Sequence, residues 1–278
     1  MNAVNAQTSR RDAPGDEATG RLAAQETGNG IMLAYQICLG LALLLIWQGA
    51  SGRLIDDFFI SNPMDVAERL YQWIADGSLF VHIWATVYAT LMGFFIGSVG
   101  GVILGIWLGV SQFSNRLLSP YLDALNALPK VALAPLFILW FGLGIESKIA
   151  LAAVLVLFLV FLNTVAGVRE VDQDLIDSAR LMRASRRQVI TKVIVPSAMS
   201  WVFAGLKISV PYALIGAVLG EMIAANRGLG YLVQFSGSQF DSAGVFAVLI
   251  VIALLAVALN MLVDGVQNRI QRWRIVGH

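Results

Sequence analysis

Six stretches of this chain are apolar over about the twenty residues that a helix needs to cross a bilayer. They run roughly Ile31–Ala50, Ile83–Val110, Leu118–Phe141, Ile149–Val168, Ser197–Ala225 and Val245–Val263. Inside lipid no water is present to satisfy exposed backbone groups, so such stretches fold as helices. The expected fold class is an all-α membrane protein with six transmembrane helices. Composition agrees: 58% of the 278 residues are hydrophobic, 13% are charged, and the mean hydropathy is +0.73. Soluble domains carry about 25% charged residues. A net charge of +1 gives no electrostatic support for nucleic-acid binding. The single cysteine, Cys38, lies in an apolar run and reads as a small packing residue.

Positive residues stay on the cytoplasmic side, which fixes the expected topology. With the N-terminus inside, thirteen Lys and Arg fall in inside segments and four, Arg53, Arg69, Lys148 and Arg227, fall outside. Both termini are therefore expected in the cytoplasm. Residues 1–30 are polar, with no apolar core, and read as a disordered cytoplasmic tail rather than a signal peptide. A six-helix region would occupy residues 31–268, with a loop at 169–196 and a basic C-terminus at 269–278. After the first span, Asn62, Pro63 and Asp65 form a helix-start signature. Val66, Leu70, Trp73 and Ile74 share one face of that helix, which either lies on the outer membrane surface or packs on the spans.

Gly93, Gly97, Gly101, Gly105 and Gly109 recur every four residues, a seam for close helix packing in lipid. The fifth span carries a related stripe, Gly205, Ser209, Ala213 and Ala217, ending at Glu221. That glutamate reads either as an interfacial group or as a pathway residue. Pro129 and Pro135 interrupt the third span, where Asp123, Asn126 and Lys130 share a face. Irregular backbone and ionisable groups at membrane depth belong in the protein interior or along a watery route. Near the headgroups, Asp123 and Lys130 would instead snorkel. Asn126, Lys130, Trp140, Asn163, Lys207, Tyr212 and Glu221 are the candidate substrate-pathway residues. Lys130 and Lys207 suit an anionic solute, although either could neutralise a neighbour such as Asp123.

Between the fourth and fifth spans lies the Arg-rich stretch DSARLMRASRRQVITKVIVP, Asp177 to Pro196. Asp174 is placed to cap one short helix, with Asp177 near its start. Ser185 with Gln188 forms a capping box for a second. Pro196 is expected to end the element. Leu175, Ile176, Ala179 and Met182 then form an apolar ridge, rimmed by Arg180, Arg183, Arg186 and Arg187. Such a ridge suits a groove on a soluble partner.

This loop resembles that of permeases of binding-protein-dependent ABC importers, which has the form E-A-A-x3-G-x9-I-x-L-P. The matching positions are Asp177, Ser178, Ala179, Arg183, Val193, Val195 and Pro196, with the spacing kept. Arg183 replaces the glycine; in a left-handed conformation that costs about 1 kcal/mol or more. The segments PMDVAERL, ALPKVALAPLFILWFGLGIESK and EMIAANRGLGYLV look like the branch that imports nitrate, sulfonates and taurine, and the likeness covers most of Ser61 to Arg274. The resemblance implies a type I importer permease in the bacterial inner membrane, probed by two copies of a cytoplasmic ATPase at the loop. It also implies a second permease chain, expected to make a homodimer, and a periplasmic binding protein that delivers a small anion such as a sulfonate, nitrate or carboxylate.

The chain itself carries no phosphate-cradling G-x-x-x-x-G-K-[ST] loop, so it is expected to bind no cofactor; ATP and Mg would sit on the ATPase. His82 and His278, its two histidines, leave no metal cluster in prospect and no catalytic residue is assigned. The competing reading is a self-sufficient secondary carrier or channel. That class usually shows an inverted repeat of broken helices, for which no convincing pair is present.

Overall fold

A computed structural model gives the fold of Met32, residues 34–54 and residues 56–271. The tail expected over residues 1–30 and the end beyond residue 271 lie outside the described residues. The chain divides into two compact units, residues 1–64 and 65–278.

The first unit holds α1 (Ala34–Ala50) and the short α2 (Asp57–Ile60). Asp56 caps α2 by accepting the Phe58 N–H at 2.9 Å. Trp47 Nε1 donates to the Ile60 carbonyl, and the Ser51 hydroxyl contacts both Asp57 and the Ser61 carbonyl, so α1 and α2 are tied by their polar groups.

The second unit begins within the first turn of α3 (Pro63–Ala75), whose N1 proline is where the sequence placed it. Val66 is buried, and Leu70 and Trp73 pack with Leu79, Leu229, Leu232 and Val248. Of the two readings of this helix, packing on the spans is the one observed. Then follow α4 (Ser78–Val110), α5 (Gln112–Ala127), α6 (Ala134–Phe141), α7 (Ile145–Arg169), α8 (Gln173–Leu181), α9 (Arg186–Val189), α10 (Val195–Ala224), α11 (Leu229–Ser238) and α12 (Ser242–Gln271).

Three of these make the scaffold. The glycines of α4 meet α7 in register: a Cβ at Gly93 would lie 2.5 Å from Ala152 Cβ, at Gly105 2.5 Å from Thr164 Cβ, and at Gly109 2.6 Å from Val168 Cβ. Residue numbers rise together along both helices, so α4 and α7 run parallel. On its other side α7 meets α10, with Gly205 against Asn163 and Gly216 against Ala152, so α10 runs antiparallel. Helices have no hydrophobic drive to associate in lipid, and backbone approach of this kind supplies the packing that holds them.

The third apolar stretch is not one straight span. It starts earlier than expected, at Gln112, and breaks at Leu128–Pro129, with a bend of 88° between α5 and the 130–141 segment. Pro129 is extended and a single 3-10 turn, Lys130–Leu133, leads into α6, where Pro135 occupies the first turn. Proline lacks a backbone donor and pushes the residue before it, here Leu128, into extended backbone, which explains why the helix stops there. Gly142, at φ 77°, ends α6. Leu118 and Leu122 seat α5 on Leu108, Phe161 and Val165, while Ala134 and Phe137 seat α6 on Leu151.

Among the described residues, four helices are long and apolar enough to cross a membrane, or five if the bent pair counts as one span. The first expected span appears, among the described residues, as α1 over Ala34–Ala50. The fifth expected span is also altered. Pro196 does not end the loop element: α9, a π-turn over Ile190–Ile194 and α10 run as one helix, Arg186–Ala224. The wide turn sits where Pro196 would otherwise clash with the carbonyl four residues earlier.

Candidate functional site

At the end of the scaffold where α7 finishes and α10 begins, α8 and α9 form a hairpin. Its first helix is capped by Asp172, which accepts the Asp174 N–H at 2.9 Å. The cap is two residues before the expected Asp174, which lies in the first turn; Asp177 pairs with Arg180 at 3.0 Å. The second cap is as read from sequence: the Ser185 hydroxyl accepts the Gln188 N–H, and the Gln188 side chain accepts the Ser185 N–H at 2.7 Å. Between them Arg183 adopts φ 57°, the left-handed conformation of the glycine it replaces. The Ala184 N–H reaches the Ala179 carbonyl at 3.0 Å and the Arg183 N–H the Arg180 carbonyl at 2.9 Å, a Schellman ending.

The ridge is composed differently from the expected one. Ile176 is buried, and Ala179 packs beside it on Val168, Val171, Val189, Ile194 and Ala198. These two residues share the apolar face that holds α8 on the scaffold, so they are not part of an exposed ridge. The side chains left outside are Leu175, at 52% exposure, Leu181 at 85% and Met182 at 84%. Arg180, Arg183, Arg186, Arg187, Ser185 and Gln188 are exposed around them, and Pro196 lies in the first turn of α10. Leu181 was missed because the helix ends at it, which turns it outward.

The candidate pathway residues do not converge on one cluster. Asn126 and Lys130 meet at the break: Lys130 Nζ donates to the Asn126 carbonyl at 2.8 Å and to its side-chain oxygen at 3.0 Å, and lies over the Phe158 ring. Its partner is thus not Asp123. Lys207 pairs with Asp264 of α12 at 2.8 Å. Trp140 is exposed on α6, edge-on to Phe137. Asn163 donates to the Leu159 carbonyl of its own helix, at the α7–α10 contact, and Tyr212 is exposed on α10.

Glu221 sits elsewhere, buried at the opposite end of the scaffold. Its carboxylate accepts the Thr86 hydroxyl, 2.9 Å from both oxygens, and the Gly230 N–H at 2.9 Å. Thr86 in turn accepts the Leu229 N–H at 2.8 Å, and His82 accepts the Gly228 N–H at 3.1 Å. Gly228, at φ 114°, lies so close to the Glu221 carboxylate that a Cβ there would collide with it. Lys148, also buried, donates to the carbonyls of Leu143, Gly144 and Ala224, satisfying the end of α10. One polar junction therefore joins α4, α7, α10 and α11. Thr86 precedes Glu221 by 135 residues, so no local pattern in the sequence pairs them.

Residues 101–276 match the family described as the binding-protein-dependent transport system inner membrane component. The riboflavin transport system permease protein RibX of Chloroflexus aurantiacus is 35% identical over 232 residues, 83% of this chain and 87% of its own. The taurine transport system permease protein TauC of Escherichia coli K12 is 32% identical over 251 residues, 87% of this chain and 91% of its own. The chain belongs to this family. It is a permease subunit of a binding-protein-dependent ABC importer. The fold of the permease is shared with a solved structure of the MetNI methionine ABC transporter in an inward-facing conformation, at TM-score 0.61 and 21% identity, covering 68% of this chain and 94% of that one.

Proposed function

We propose that the permease is driven through the α8–α9 hairpin by a separate cytoplasmic ATPase. The observation that carries this reading is mechanical. The hairpin is capped at both helices, exposes Leu181 and Met182 within an arginine rim, and is continuous with one helix reaching from Arg186 to Ala224. A displacement applied to the hairpin is thus passed along α10 to the buried Glu221 junction at the far end. ATP binding by two ATPase copies, each holding ATP and Mg, closes them and moves the two hairpins of a permease homodimer. The change of state follows from contacts that differ between the closed and open ATPase dimer.

In this reading α1 supplies a sixth crossing, both termini are cytoplasmic, and the protein lies in the bacterial inner membrane. The thirteen-to-four bias of Lys and Arg supports that orientation. A periplasmic binding protein docks at the end that carries α3 and α11. The relatives are named for small organic solutes, among them taurine and riboflavin. A small anion, of the sulfonate or carboxylate kind, is the proposed cargo. Lys130 supports it: this cation at the break of the bent span has no carboxylate partner among the described residues. Lys207 adds no net charge, being paired with Asp264.

The test is transport in proteoliposomes holding the permease with and without its ATPase. Solute uptake that needs both the ATPase and ATP is the expected result. Uptake by the permease alone, driven by an ion gradient, would make it a secondary carrier and overturn the reading.

A further inference from the structure

Beside the hairpin, and sharing Arg180 and Arg186 with the rim of its tip, lies a cleft of about 880 Å3. The α4–α5 turn forms one wall, the end of α7 another and the α8–α9 hairpin the third. Each contributes arginine: Arg116 from the first, Arg169 from the second, Arg180 and Arg186 from the third. No aspartate or glutamate lines it. Arg180 is paired with Asp177, whereas Arg116, Arg169 and Arg186 have no ion pair among the described residues. Beneath the arginines the floor is apolar and buried, made by Leu108, Val168, Ile176 and Ile194 among others.

An excess of arginine on one side of a membrane protein is expected from topology alone. Topology does not require arginines from three separate segments to face one cleft, nor an apolar floor under them. Guanidinium groups bind phosphate oxygens in a forked, bidentate fashion. A cleft with a cationic mouth, an apolar floor and a place at the ends of membrane-crossing helices matches an amphiphile with an anionic head.

We propose that this cleft binds a phosphate-bearing anion, the headgroup of an anionic phospholipid. Two of its arginines belong to the hairpin, so an occupied cleft ties the α4–α5 turn to the hairpin through the ligand. Binding itself does not depend on the ATPase reading. Its assignment to the cytoplasmic leaflet rests on the orientation proposed above.

The experiment is native mass spectrometry of the full-length permease in detergent, with added phosphatidylglycerol, added phosphatidylcholine, or added inorganic phosphate. The variants are the R116Q/R169Q pair and the charge-preserving R116K/R169K pair. Arg116 and Arg169 make no ion pair among the described residues, so both pairs are expected to fold, as a thermal melt checks. The wild type should retain phosphatidylglycerol in preference to phosphatidylcholine. R116Q/R169Q should weaken that retention about tenfold or more, and R116K/R169K should weaken it less. Displacement of the lipid by inorganic phosphate, with the same loss in R116Q/R169Q, would support the phosphate site and identify free phosphate as its source. Equal retention of both lipids, or phosphatidylglycerol retention unchanged in R116Q/R169Q, would overturn the proposal.

Discussion

The two ends of the α4–α7–α10 scaffold are built on opposite principles. At one end buried Glu221, Thr86 and the backbone of α11 satisfy one another's hydrogen bonds, and buried Lys148 beside them is satisfied by the carbonyls of Leu143, Gly144 and Ala224. At the other, buried Ile176 and Val189 hold the hairpin by apolar contact, and its polar and charged groups point outward. Buried polar groups are costly unless paired, so a fully paired junction has one workable arrangement. A hairpin held by an apolar face, with its helix ends capped locally, keeps its shape while leaving side chains free. The first end is suited to fixing helices together and the second to meeting another molecule. Between them the glycine seam of α4 makes the scaffold stiff enough to connect the two.

The scaffold is the part that tolerates least. Gly105→Leu should cost about 3 kcal/mol or more, since even its Cβ would lie 2.5 Å from Thr164 Cβ. Loss of folded protein in detergent, read by size exclusion and thermal melting, checks it. At the junction, Glu221→Ala leaves the Gly230 N–H without its acceptor and the Thr86 hydroxyl with the His82 carbonyl alone, at 3.2 Å, and should cost about 1–3 kcal/mol. Glu221→Gln keeps one acceptor oxygen and should recover part of the melting temperature. Failure of Glu221→Ala to lower it would mean the junction does not hold this end together.

The hairpin should respond in the other direction. Arg183→Gly removes a side chain from a left-handed residue and should stabilise the turn by about 1 kcal/mol. Slower amide exchange at Ala184 would report it, because that N–H closes the turn. The smallest expected change in stability, within about 0.5 kcal/mol, is for Leu181→Ser with Met182→Ser, both on the surface. The same pair should nonetheless lose the ATPase on co-purification. A large drop in melting temperature for this pair would erase the contrast between the two ends.

Local chemistry in the sequence was a sound guide where a feature depends on near neighbours. The glycines every four residues, the N1 Pro63 and the Ser185–Gln188 box each act within a turn or two, and each is present in the fold. The resemblance to the importer-permease loop also marked Arg183 as a glycine position, and its left-handed φ agrees. Features that depend on distant segments were not legible. Proline locates the break in the third span, but the 88° angle is set by the packing of α5 and α6 on α7. Ile176 on α8 and Met182 just past its end are both apolar, and the neighbouring Val168 and Ile194 decide which turns inward. The π-turn before Pro196 answers a clash that becomes visible when α9 and α10 are seen to be continuous.

On the proposed reading, the ATPase grips the hairpin at its tip. A cysteine in place of Met182, with Cys38 replaced by serine, allows a short thiol-to-amine cross-linker to be applied to the assembled transporter. The expected result is a covalent adduct between permease and ATPase that disappears when the cysteine is moved to an exposed site on α3, such as Tyr71. An intact complex that gives no adduct from position 182, or one whose position 182 reacts with an impermeant reagent added outside the cell, would contradict it.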